Sequence, residues 1–505
     1  VFGAWFASKA AMNFGADLRM DLFEKIQQFS FQNIDNFSTG SLITRLTNDI
    51  TQIQNMIMMT LRMCLRSPGI LIGAMVMAFV ISPKLAAIFI IVLPVLAVLI
   101  VVIMRRAFPQ FRTLQEKLDA LNSCIQEGLV GIRLIKSFVR GDYEEMRFEK
   151  RNQQLKEANL TAMKTMLLYT PLMTLALNIT TVVVVWSGGN MIVAGNMQVG
   201  DLTAFTNYIV QIMSSLTMLS IAFLNWARAI ASFRRVGEVL DEKIDLTDEN
   251  AKHKDRAVCE GSVEFQNVSF RYYKNSPEWV IENISFKLEA GKTLGIIGST
   301  GSGKSTLVSM IPRLYDTDEG TVLVDGINVR DYGLKPLREG IGMVLQNNTL
   351  FSGSITENLK WGDEHADEKA VRKAAQNAQA AGFIDSFKDG YRTRLEQSGN
   401  NVSGGQKQRL CIARALLKCP KILILDDSTS AVDTATERAI REALHSEYKD
   451  MTKIIIAQRI RSVMDADEIL VLDNGKTAGF GTHEQLLADC PVYREIYDVQ
   501  NGREE

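Results

Sequence analysis

The six cysteines, at 64, 124, 259, 411, 419 and 490, form no CxxC pair and no spacing that suits a metal. That lack excludes a disulfide framework and leaves small buried hydrophobes as their reading. An excess of charge of either sign is also missing, with 56 Lys and Arg against 57 Asp and Glu for a net charge of -1. A protein held to nucleic acid by bulk electrostatics would be strongly basic, so no nucleic-acid partner is expected. There is no internal repeat, and no signal peptide or initiator Met precedes Val1; the expectation is a fragment of a longer protein.

What the chain does have is length and long uncharged runs. At 505 residues it exceeds what one hydrophobic core usually organises. No charge interrupts residues 85–104, 165–200 or 202–227, and each run reaches the ~20 residues that a helix needs to cross a bilayer. A fourth run, 67–82, extends backward through 55–64. Buried helices of a large soluble protein would not need three runs of that length, so a lipid bilayer is an expected partner. The loop 187–200 carries no basic residue, whereas 105–164 carries twelve Lys and Arg. By the positive-inside rule that segment and both chain ends are cytoplasmic.

Residues 1–240 therefore read as a helical membrane domain with spans near 56–82, 84–104, 165–194 and 201–227. The charged stretch between the second and third spans keeps a helical period, as in LDALNSCIQEGLVGIRLIKSF, so the helices continue into the cytoplasm. A polar linker, 241–260, follows. From 261 to 505 short strand-like runs alternate with helical ones (SVEFQNVSF, TLGIIG, TVLVDG, GIGMVLQ, KILILDD, TKIIIAQ, EILVLD), the pattern of a mostly parallel α/β sheet.

The run Gly298-Ser299-Thr300-Gly301-Ser302-Gly303-Lys304-Ser305-Thr306 fits the phosphate-binding loop between a strand and a helix. Its glycines let backbone N–H groups curl around phosphate, Lys304 reaches the β- and γ-phosphates, and Ser305 can ligate Mg²⁺. ATP and Mg²⁺ are the expected cofactors. The run ILIL ends in Asp426 and Asp427. Asp426 suits the Mg²⁺ hydration shell, and Asp427 is placed to orient or deprotonate the attacking water; paired acids after a strand also suit a helix N-cap.

Asn401-Val-Ser-Gly-Gly-Gln-Lys-Gln-Arg409, between these elements, resembles the signature of ATP-binding cassette (ABC) transporters. The resemblance covers nearly the whole chain. It implies a helical transmembrane bundle of the exporter type, truncated at its N-terminus by about a span and a half, followed by an α/β P-loop cassette. The first 55 residues look like the end of the second span, a coupling helix and the start of the third. Tyr272 matches the aromatic that stacks on adenine, although a strand Tyr by itself suits core or surface packing equally. Gln346 matches the Gln that contacts Mg²⁺ and links the catalytic site to the membrane helices. Ser403, Gly404, Gly405 and Gln406 match the signature that meets the γ-phosphate of an ATP held by a second cassette. Asp433 matches a loop that crosses the dimer interface, and Gln458 the position of the γ-phosphate switch. In this family two cassettes close head to tail over two ATP molecules, so the resemblance implies a second half-transporter as partner.

Two positions depart from the family pattern. Asp427 stands where the catalytic base is Glu, and Gln458 where the switch is His. Shortening the acid withdraws its carboxylate by about one C–C bond, and a ~1 Å misplacement can cost on the order of 10²-fold in rate, or ~2.7 kcal/mol of barrier. Gln can hydrogen-bond phosphate but cannot become cationic. A third departure is LEQSG at 395–399 ahead of the signature. Together these resemble the weak site of a heterodimeric exporter, whose partner would carry Glu and His. The alternatives are a homodimeric lipid or drug exporter running on Asp427, and a regulatory ATP-binding subunit or ATP-gated channel. Seventeen of 21 methionines lie before residue 230, suiting either gap filling or a cavity that repacks around varied amphipathic solutes.

Overall fold

The computed structural model describes residues 2–501 apart from 65, 275 and 429–431. The side chains of 220, 221, 223–225, 227, 228 and 501 also lie outside the described residues. The chain divides into two units, one of residues 1–27 with 39–241 and one of residues 28–38 with 242–505.

The first unit is all helix. Among the described residues three helices are long and apolar enough to cross a membrane: Thr39–Ile81, Pro83–Val130 and Gly141–Val193. The fourth expected span, 201–227, lies on the helix Val199–Leu240, where six of its side chains are outside the described residues. Ser82 starts the second of these helices by accepting a hydrogen bond from the Leu85 amide, with Pro83 in the first turn where its missing N–H costs nothing. Phe89 and Phe205 stack at 5.5 Å, packed with Ala74, Ala78, Ala86 and Val184, and the small residues allow close helix approach. Nearer the chain's polar segments Asp49, 2 % exposed, accepts from Ser232 Oγ at 2.8 Å and from Arg235 Nε at 2.8 Å. Arg45 in turn donates to the Arg235 carbonyl oxygen at 2.7 Å and pairs with Glu238 at 3.1 Å. A buried carboxylate needs such donors, and these bind the helix Thr39–Ile81 to Val199–Leu240.

In the second unit a six-stranded sheet runs in the order 476–481, 468–473, 293–298, 452–456, 422–426, 341–344. Its neighbours pair in parallel except at the 476–481 edge. Every residue of Ile422–Asp426 and Thr452–Ile456 is buried, as expected of central parallel strands covered on both faces. Not every strand-like run joins this sheet. SVEFQNVSF and TVLVDG fall in a separate four-stranded antiparallel sheet, 281–288, 263–270, 319–324, 327–328. Alternation along a sequence says that strands and helices interleave; it does not say which hairpins break away.

The short helix Phe31–Asp35 packs within this unit although it lies more than 200 residues up-chain. Ser30 caps it, and Asn33 donates to the Lys243 carbonyl oxygen at 2.9 Å. Tyr315 OH donates to Asp35 at 2.9 Å, and Phe31 tilts against the Tyr315 ring at 6.0 Å. Burial, reinforced by that carboxylate, raises the Tyr315 phenol above its ordinary range.

Candidate nucleotide site

The phosphate-binding loop is the turn between the strand Thr293–Gly298 and the helix Lys304–Ser309. Gly303 sits at a φ of +88°, and a Cβ there would lie 2.6 Å from Ile281 Cγ2 and 2.9 Å from the Val280 carbonyl oxygen. Only glycine combines that backbone with that approach. Lys304 Nζ donates to the carbonyl oxygens of Gly298 at 2.9 Å and Ser299 at 2.7 Å, and lies 3.4 Å from Ser302 Oγ. Burial pushes this ammonium down, and the charges of Asp427 and Asp426 oppose the shift. A loop that turns its carbonyl groups and a lysine on one another has a cation that can move onto phosphate oxygens.

Asp426 ends the strand Ile422–Asp426 at 3 % exposure and accepts from Ser305 Oγ at 2.9 Å. Burial raises its carboxyl, opposed by the Ser305 hydrogen bond and the Lys304 charge. Two hard oxygen donors held together at the loop fit a magnesium ion, which takes one or two carboxylates and completes its shell with phosphate and water. Asp427 follows at a φ of +47°, a left-handed backbone that Asp tolerates better than most residues. Its amide donates to the Ile456 carbonyl oxygen at 3.1 Å, and its side chain accepts from Gln458 Nε2 at 2.8 Å and from Gln346. Burial raises this carboxyl too, and those amide donors oppose it. Among the described residues it is Asp433, not either of these acids, that caps a helix, accepting from the Thr436 amide at 3.0 Å at the start of Thr434–Glu447.

The fold thus brings Lys304, Ser305, Gln346, Asp426, Asp427 and Gln458 into one cluster. Tyr272 borders it, its hydroxyl 2.8 Å from Thr306 Oγ1 and its ring edge-on to Tyr315 at 5.3 Å. More than a third of Tyr272 is exposed, which leaves a ring available for stacking. The signature stands apart. Ser403 caps the helix Gly404–Leu417 in a reciprocal box, Gln406 donating its amide to Ser403 Oγ at 3.3 Å and accepting from the Ser403 amide at 3.0 Å. Among the described residues no hydrogen bond joins 403–406 to the Lys304–Asp426 cluster.

Sequence reading missed Gln500, on the last described helix. Its Nε2 donates to the Gln458 carbonyl oxygen at 2.8 Å and its Oε1 accepts from the Ile460 amide at 2.8 Å, gripping the segment that carries Gln458. It missed equally the path from Asp35 through Tyr315 to Tyr272 and Thr306. No local pattern marks either, because each joins residues far apart in sequence.

Comparison with known proteins agrees with this geometry. Residues 1–216 match the ABC transporter transmembrane region and residues 281–430 the ABC transporter ATP-binding region. The ABC transporter ATP-binding protein YfiB of Bacillus subtilis is 41% identical over 504 residues, covering 100% of this chain and 87% of its own length. The putative multidrug export ATP-binding/permease protein YgaD of the same organism is 36% identical over 99% of this chain and 85% of its own. A bacterial Atm1-family ABC exporter solved with ATP bound superposes with a TM-score of 0.84 at 26% identity, over 97% of this chain and 86% of that one. The chain belongs to the ABC transporter family, as an integral membrane protein of the exporter type with its transmembrane region fused to a cytosolic ATP-binding cassette.

Proposed function

We propose that this chain is the subunit of a heterodimeric exporter that carries the weaker of its two ATP sites. The observation that carries the reading is the hydrogen bond from Gln458 to Asp427. A neutral amide occupies the switch position and holds a carboxylate one methylene shorter than the family's glutamate. Such a pair can orient water, but it lacks both the reach and the cation that speed phosphoryl transfer. Lys304 and the loop 298–306 hold the phosphates, with Tyr272 against the base. Ser305, Asp426 and Gln346 would hold Mg²⁺, which would supply charge to neutralise the phosphates. Ser403–Gln406, whose donors are unchanged from the family pattern, complete the partner's site, and Asp433 faces the interface.

The working division is a membrane domain of residues 1–240, a linker of 241–260 and a cassette of 261–505. ATP binding closes the two cassettes and hydrolysis at the stronger site reopens them, moving an amphipathic solute outward. Two things support that cargo: the methionine-rich membrane half, and a relative that bears the name of a multidrug exporter.

Purified alone, the chain should bind Mg·ATP and turn it over poorly. With a partner bearing Glu and His at the two positions, turnover and vesicle transport should appear, then vanish when the partner's Glu becomes Gln. A homodimer with full, vanadate-sensitive, transport-coupled turnover overturns the reading. So does flux that persists down a gradient after that substitution, since a channel behaves so and a pump does not.

A further inference from the structure

The parallel sheet buries a lysine at the opposite end from the phosphate loop. Lys453 is at the start of the strand Thr452–Ile456, in register with Thr293 on one side and Leu423 on the other. It is 5 % exposed. Among the described residues its ammonium has neither a hydrogen-bond acceptor nor an ion-pair partner, and Asp467 and Asp450 act on it only from a distance. Most of the side chain is enclosed while the ammonium opens into the cavities beside it with no fixed counter-charge, an arrangement that favours an anion from outside.

Two cavities meet at this lysine. One, of about 640 Å³, runs along the helix Thr434–Glu447; the other, of about 680 Å³, opens beside Lys421 and Lys449. Thr293, His445 and Lys453 line both. The first holds a second unanswered donor. Arg441 gives Nη1 to the Arg461 carbonyl oxygen at 2.6 Å, yet its buried Nε has no acceptor. The acids on these walls are largely engaged: Glu442 with Arg438 at 2.9 Å, Asp465 with Arg441 at 3.4 Å and Asp467 with Lys292 at 2.9 Å. Glu260 and Asp450 line only the second cavity, so the first, with Arg438, Arg441, Arg461 and Lys453 against Glu442 and Asp465, carries the excess of positive charge.

We propose that this cavity binds the phosphate group of a small phosphorylated molecule or free phosphate, seated on Lys453 with Arg441 and His445 beside it. A phosphate monoester brings ≈ −1.5 to −2 charge and three strong acceptor oxygens, which suits a compact ammonium beside a planar guanidinium. Burial pushes the Lys453 ammonium down, and a bound dianion would restore it. The site is separate from the nucleotide cluster but connected to it. Its walls include Thr434, next to Asp433, and Ile460 and Arg461, just beyond Gln458. An occupant would therefore brace both segments that leave the ATP site.

The test uses the full chain in lipid nanodiscs with its nucleotide site saturated by Mg²⁺ and a non-hydrolysable ATP analogue. Inorganic phosphate and glycerol 1-phosphate are titrated calorimetrically, with acetate as control. Saturable binding of phosphate or its ester is expected in the parent, at least tenfold weaker in Lys453→Met and retained in Lys453→Arg. Tighter binding of the ester than of phosphate identifies a metabolite site, and equal binding a phosphate sensor. Arg441→Gln, at a partly exposed helix position, serves if Lys453→Met fails to fold and should weaken binding at least threefold. No saturable binding in the parent, or binding unchanged in a folded Lys453→Met or Arg441→Gln, overturns the proposal, since a lysine that merely reaches water through the cavity binds nothing.

Discussion

Each end of the parallel sheet carries a lysine, Lys304 half-buried just beyond one end and Lys453 buried at the other, and the two differ in company. At the C-terminal end Lys304 faces three loop oxygens and lies within the field of Asp426 and Asp427. At the N-terminal end the Lys453 side chain is buried, and among the described residues its ammonium bonds to no oxygen. One end is the candidate nucleotide site, with internal counter-charges beside its lysine. The other, among the described residues, has donors without bonded acceptors. A strand tip's chemistry is set less by the residue it presents than by which neighbours the crossovers bring to it.

The largest effect expected is at the C-terminal end. Lys304→Met removes the cation that leaves the loop for phosphate, and ATP affinity should fall by on the order of 10²-fold or more, in line with a lost charge-assisted contact in a half-buried site. Fluorescent nucleotide binding measures it; an unchanged Kd would mean that the loop's backbone alone holds the phosphates. If Lys453→Met matched that loss with the nucleotide site as the only readout, the two ends would not be independent.

Next in size, Asp427→Glu with Gln458→His should raise single-turnover hydrolysis at this chain's own site by on the order of 10²-fold, recovering the reach and the cation together. Either change alone should recover less, because Gln458 and Asp427 are hydrogen-bonded and their effects couple. Rapid-quench assays against a partner already inactivated at its Glu would show it. A flat response would place the weakness elsewhere, with LEQSG before the signature the next suspect.

A smaller effect is expected from Gln500→Ala. It deletes two hydrogen bonds worth ~1 kcal/mol each, one of them exposed to solvent. Turnover should drop two- to tenfold with ATP affinity unchanged, and the Ile460 amide should exchange faster with solvent deuterium. A matching fall in affinity would make the residue structural.

The smallest effect is on stability. Burial holds the Asp426 and Asp427 carboxyls above their unfolded value, so the folded chain binds protons more readily than the unfolded one. Their contribution is most favourable below the unfolded pKa and is lost as pH rises through the folded one. Asp427→Asn should therefore raise the melting temperature of the nucleotide-free protein by a degree or two at neutral pH, and the gain should shrink on acidification toward the carboxylate range. A gain that grew on acidification would reverse the sign and mean that the amide donors outweigh burial.

These tests separate what the sequence showed from what it could not. The strands ILIL and TLGII, the glycine loop and the signature were legible because their information is local: period, turn residues and fixed offsets. Asp427 and Gln458 were legible as departures, one residue at a time. That the two touch was not, because parallel strands 422–426 and 452–456 must first pair to bring them together. Gln500 offered still less, being a glutamine on a polar helix face with no motif around it. Strand runs could be found from pattern, but their division between two sheets followed from hairpin pairing, which carries no comparable signal.

The helix Phe31–Asp35 has a consequence for how the molecule is made. Its partner Tyr315 is 280 residues further along the chain. At a synthesis rate of ~5–20 residues per second, about a quarter of a minute to a minute passes between the emergence of one and of the other. Through that interval Phe31 and Asp35 have no Tyr315 to meet. The helix Phe31–Asp35 can therefore be completed only after most of the unit it packs into has been translated.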